Sequence, residues 1–99
     1  MIVLVTASGA RLLEAYHFRS FALQTTLSST DLAAQAEAAV FTLAGDGHAW
    51  VQLAWLRRQP AAADPGWRTQ LERMVEQARP YGWISADGRA VRAHLEIVA

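Results

Sequence analysis

Apolar positions along this chain follow two different spacings, and the switches between them mark its elements. Residues 2–7 (Ile-Val-Leu-Val-Thr-Ala) form an apolar, β-rich run, and Ser8-Gly9 can turn it back on itself. Residues 11–27 carry both signals. Leu12, Leu13, Tyr16, Ser20 and Leu23 fit a helical stripe, whereas Tyr16, Phe18, Phe21, Thr25 and Thr26 favour a strand. The aromatic and threonine content decides for a long, bent strand.

Ser28-Ser29-Thr30-Asp31 is a cluster of capping side chains, and Leu32, Ala36, Ala39, Val40 and Leu43 follow it at helical spacing. Residues 40–43 also suit the start of a strand. Gly45-Asp46-Gly47 then turns the chain. His48 to Arg57 reads as a strand with Trp50, Gln52, Ala54 and Leu56 on one face and Ala49, Val51, Leu53 and Trp55 on the other. Both faces are mostly apolar, so both call for cover. Residues 57–63 form a linker. Asp64-Pro65 gives an N-cap with proline at the first helical position, and Trp67, Leu71, Met74, Val75 and Ala78 form the stripe of the helix that follows. Arg68 and Glu72 stand at a pairing distance on its wet side, and Arg79-Pro80 ends it. Residues 81–85 read as a strand and Asp87-Gly88 as a tight hairpin turn. In the last strand Val91, Ala93, Leu95 and Ile97 face in, while Arg92, His94 and Glu96 face out.

A helix, an Asp-Gly turn and a strand thus occur twice, over 30–56 and 69–98. The expectation is a single α+β domain over residues 1–99, with an antiparallel sheet of hairpins and two helices packed on one face. This element order resembles a ferredoxin-like βαββαβ sandwich with an extra edge strand.

Composition narrows the function more than it names one. Nine basic and nine acidic residues cancel, which argues against a protein that binds nucleic acid by neutralising phosphates. All nine basic residues are arginine. The chain has no cysteine, so disulfides, thiolate nucleophiles and cysteine-held metals are excluded. Its three histidines form no HxH, HxxxH or HExxH pair, and neither a metal nor a cofactor is expected. No apolar run approaches the length of a membrane span, and residues 1–5 do not read as a signal peptide. Cytoplasmic location and no membrane partner are the default expectations.

Four constellations carry chemistry. Arg92, His94 and Glu96 share one strand face, an anion holder, an imidazole and a carboxylate suited to acid–base work. Asp46 and His48 could be a base and its orienter at a sheet edge. His17 lies among Tyr16, Phe18 and Phe21. Four tryptophans are many for 99 residues, and Trp50, Trp55 and Trp83 could frame an apolar ligand pocket or an interface. The leading expectation is a small binding or accessory protein, acting as a homodimer that docks a partner protein or a small apolar ligand. The alternative is a small cofactor-free enzyme, doing proton transfer or oxidation in an aromatic pocket with Arg92, His94 and Glu96 as its polar groups.

Overall fold

The computed structural model describes residues 1–98. Six strands form one mixed sheet in the order β2-β1-β3-β6-β5-β4. The strands are β1 (Ile2–Thr6), β2 (Gly9–Leu13), β3 (Ala22–Thr25), β4 (Phe41–Leu43), β5 (His48–Gln52) and β6 (Ala90–Ile97); the helices are α1 (Ser29–Gln35), α2 (Leu53–Leu56) and α3 (Pro65–Ala78). The α+β class follows the sequence. The purely antiparallel sheet does not, because β3 runs parallel to both β1 and β6.

The reason lies in residues 14–21. The apolar and aromatic content of 11–27 suits one strand, but Glu14 adopts a left-handed φ of 48° and breaks it. The intervening loop is held by distant partners. The Trp67 indole N–H donates to the Ala15 carbonyl at 2.7 Å, and Phe18 packs on the Trp67 ring with centroids 6.1 Å apart. The Tyr16 hydroxyl donates to Asp64 at 2.7 Å, and the Met1 ammonium donates to the carbonyls of His17 and Ser20. The chain therefore passes over the end of β1 and returns beside it in parallel. Tertiary bonds override local propensity here.

Residues 22–97 keep the order β-α-β-β-α-β, with α2 added. In a ferredoxin-like sheet the first strand of such a unit lies beside the third. Here β6, the last strand, takes that place between β3 and β5. The ferredoxin-like arrangement is thus replaced by one in which β6 is central.

Two other elements are shorter than their patterns suggest. The Ser28 hydroxyl caps α1 by accepting from the Asp31 amide at 3.1 Å, yet the helix ends at Gln35 and residues 41–43 pair with β5. The strand from His48 stops at Gln52, and Leu53–Leu56 coil into a helical turn. That turn sends Leu53, Trp55 and Leu56 into the same core, so the apolar residues that called for outside cover are covered by their own chain. Asp64 caps α3 as expected, its carboxylate accepting from the Gly66 amide at 2.9 Å. Glu72 pairs with Arg57 at 2.9 Å rather than with Arg68. Residues 81–85 form no strand beyond a single bridge, Ile84 to Val91.

All three helices contribute to one core with the inner sheet face: Leu32 from α1, Leu53 and Leu56 from α2, Trp67, Leu71 and Val75 from α3. Burying a side chain of this size contributes about 1.5–3 kcal/mol each. Among the described residues no helix is long and apolar enough to cross a membrane.

Candidate functional site

Because every helix lies on one side, the alternate residues of the strands are left on an open face. Register fixes which these are. Across the middle of the sheet, Gln24 of β3 sits opposite Glu96 of β6, His94 opposite His48, Arg92 opposite Trp50, and Trp50 opposite Thr42 of β4. Beyond the start of β3, the chain before the last turn takes over that side of β6. The Arg92 amide donates to the Trp83 carbonyl at 2.8 Å, next to the Ile84–Val91 bridge. Arg92 therefore lies between Trp83 and Trp50 on the same face. Trp83 in turn stacks on Tyr81, with centroids 4.7 Å apart and planes 22° from parallel; both rings are exposed.

The polar core of this face is a three-residue network. Asp46 accepts from the Arg92 guanidinium at 3.0 Å and lies 3.2 Å from His48 Nδ1. Desolvation opposes ionisation of Asp46, but the hydrogen bond with His48 and the charge of Arg92 outweigh it and hold the carboxyl below its usual range. The same Nδ1 lies 3.0 Å from Arg92 Nη2. A guanidinium only donates. Nδ1 can thus serve Asp46 as an N–H or Arg92 as a lone pair, but not both at once. The loop that delivers Asp46 needs glycine on either side of it, since Gly45 and Gly47 both take φ of 82°.

Arg92, His94 and Glu96 do share one face, as their alternation implies, but they do not act on one another. Arg92 bonds to Asp46, while Glu96 accepts from the Gln24 amide at 3.4 Å. His94 is exposed and meets His48 edge-on, with ring centroids 5.9 Å apart. His17 lies in the loop after β2, exposed and far along the chain from this network. Trp55 is buried on the other side of the sheet. There it lines a small cavity of about 80 Å³ with Val5, Val40, Phe41, Gln35 and Glu37. Among the described residues no group of three His, Cys, Asp or Glu side chains could hold a metal.

The open face also carries a cleft of about 330 Å³, lined by Thr42, Trp50, Gln52, Ser85, Ala86, Asp87 and Ala90. Ala90 faces Gln52 across the ladder, and its small side chain lowers the floor between Trp50 and the turn. The turn is rigidly built. Ser85 Oγ donates to Asp87 Oδ1 at 2.6 Å and accepts from the Ala90 amide at 3.0 Å; the Arg89 amide donates to the same Oδ1 at 3.0 Å. These bonds, that of Ser85 foremost, keep Asp87 ionised below its usual range. Both take Oδ1, and Asp87 is among the residues that line the cleft.

Of the residues that line this cleft, the sequence pattern singles out Trp50 but not Thr42, Gln52, Ser85 or Asp87. One signal was present: Gln52 is the only polar residue in the run Ala49–Leu56. Comparison with protein-family models, curated proteins and solved structures gives no match for this chain.

Proposed function

We propose that the protein acts by binding, and that its working surface is the open sheet face with the cleft beside Trp50. The observation that supports this reading is the convergence there of an indole, an amide, hydroxyls and an ionised carboxylate. A concave site with an aromatic wall and a few placed polar groups is the usual form of a small-molecule pocket. Its volume of about 330 Å³ suits a ligand of one or two rings. Trp83 and Tyr81 extend the aromatic surface past Arg92. The same face ends, on β1 and β2, in the half-buried Ile2, Leu4 and Leu13, where a second copy or a partner protein would find apolar surface.

A metabolite screen followed by NMR tests the reading. Binders should move the indole signal of Trp50 together with the amides of residues 85–90, and Trp50→Ala should abolish the response while leaving the fold intact. Binders that move only the signals of α3 or of the Trp55 cavity would sink it.

Catalysis is the second reading, favoured by one observation: Asp46 lies in hydrogen-bond contact with His48. A carboxylate that orients an imidazole is the arrangement a general base requires. On this reading His48, with Arg92 beside it to hold an anionic group, replaces the strand trio of Arg92, His94 and Glu96. Unchanged turnover of any substrate found in the screen after His48→Ala would end it.

A further inference from the structure

We infer that the cleft takes a neutral sugar ring, stacked by its C–H face on Trp50 and bonded through its hydroxyls to Asp87 and Gln52. The inference rests on the reading of this cleft as the binding site. Three features select the ligand class. The first is the polar lining. The Asp87 carboxylate accepts only, the Gln52 amide both donates and accepts, and Thr42 adds a rotatable hydroxyl. Vicinal hydroxyls, each a donor and an acceptor, match such a set; a ketone, an ether or a hydrocarbon ring brings no donor for the carboxylate.

The second feature is charge. Asp87 is the one formal charge in the lining, and it is not left to a cationic ligand. Arg89 lies beside it and helps to hold it ionised. On the other wall Arg92, the register partner of Trp50, is matched by Asp46 at 3.0 Å. With two cations and two carboxylates around the site, no net field draws in an ammonium or an anion. A neutral polyol gains charge-assisted hydrogen bonds from Asp87 without bringing a charge of its own.

The third is shape. An indole wall opposite a hydrogen-bonded turn forms a slot with one apolar and one polar side, and a pyranose has one apolar C–H face and a polar rim. Trp83 stands two strand spacings from Trp50, roughly 10 Å, on the same face. A second sugar unit leaving the slot toward β6 would meet it.

Titration of the full chain, observed by NMR, decides the matter. The probes are glucose, galactose, mannose, N-acetylglucosamine, cellobiose and maltose, with tetramethylammonium as the cationic competitor. At least one sugar should produce saturable shifts at the Trp50 indole, the Gln52 side-chain amide and residues 85–88. Asp87→Asn keeps an oxygen for Ser85 and Arg89, so the turn should survive, yet affinity should fall about tenfold. Trp50→Ala should remove binding. Shifts from tetramethylammonium alone would overturn the sugar and leave the cleft as a binding site. Sugar shifts that map elsewhere, or that survive Asp87→Asn undiminished, would also overturn it. Silence at Trp50 from all seven probes would overturn the sugar; silence there in the wider metabolite screen as well would remove the cleft reading with it.

Discussion

Trp67 and Trp50 are the same residue on opposite sides of one sheet, and their surroundings differ in kind. Trp67 is wholly out of water, its N–H spent on the Ala15 carbonyl and its ring packed on Phe18. Trp50 is half-buried on the open face, between Arg92 and Thr42. The covered face holds Val3, Leu23, Val51 and Ala93 at zero exposure, and the open face sets Leu4, Gln24, Trp50 and His94 at positions alternating with them. A strand has period two, so a single sequence writes both surfaces at once. One is committed to holding the fold, and the other is left for use.

If that division holds, substitutions should separate by face, and the largest effect belongs to Trp67. Trp67→Ala removes the residue that ties α3 to the loop after β2. It should cost about 3–5 kcal/mol, a large part of the roughly 5–15 kcal/mol available to a domain. Urea unfolding would read it, and a loss no greater than that of Trp50→Ala would erase the distinction. Next comes Thr25, the one buried polar residue among the described residues, on the covered face. Its hydroxyl donates to the Val5 carbonyl at 2.8 Å and accepts from the Leu27 amide at 3.1 Å. Thr25→Val keeps the shape and strands both groups, for about 1–3 kcal/mol.

Smaller still is the response to acid. Asp64, held by Tyr16 and the Gly66 amide, has its carboxyl below the ordinary value of 3.8, as do Asp46 and Asp87. A depressed folded value means that the unfolded chain binds the proton more readily. These contributions are therefore fully present above pH 3.8 and are lost as pH falls through the folded values beneath it. These three carboxylates should therefore lower the melting temperature only below about pH 4, and Asp64→Asn should soften that fall. Since Tyr16 donates to Asp64, Tyr16→Phe should soften it too. The least effect is expected at His94, exposed on the open face. His94→Ala should change stability by no more than about 0.5 kcal/mol. A larger loss by the same urea assay would mean that the open face also supports the fold.

The sequence was most readable where one local rule acted alone. Asp64-Pro65 started α3 at the expected residue, and Arg79-Pro80 ended it. The alternation of residues 91–96 correctly put Arg92, His94 and Glu96 on one face. It misled where a pattern had two physical solutions. The apolar run from Ala49 to Leu56 reads as a strand to its end, but a buried helical turn satisfies the same composition by packing Leu53 and Leu56 side by side. Residues 11–27 were broken by Trp67 and Asp64, some fifty positions away, whose bonds no local window contains. The cleft was hidden for a similar reason. Asp87 and Ser85 carry the signature of a turn, and only the ladder pairing of Ala90 with Gln52 brings that turn over Trp50. Sharing a strand face proved weaker than it looked: Arg92 and Glu96 each found a partner on another element.

The place of β6 in the middle of the sheet has a consequence for how the molecule is assembled in time. β6 joins β3 to β5, and its pairing with β3 spans most of the chain, as in the contact of Gln24 with Glu96, 72 positions apart. The β1–β2 and β4–β5 hairpins can close on their own within microseconds, but they remain two separate pieces until residues 90–97 are present. Loop closure over such a separation comes late and slowly. On the ribosome the strands before residue 90 would therefore wait, with the edges of β3 and β5 unpaired, until β6 emerges to join them.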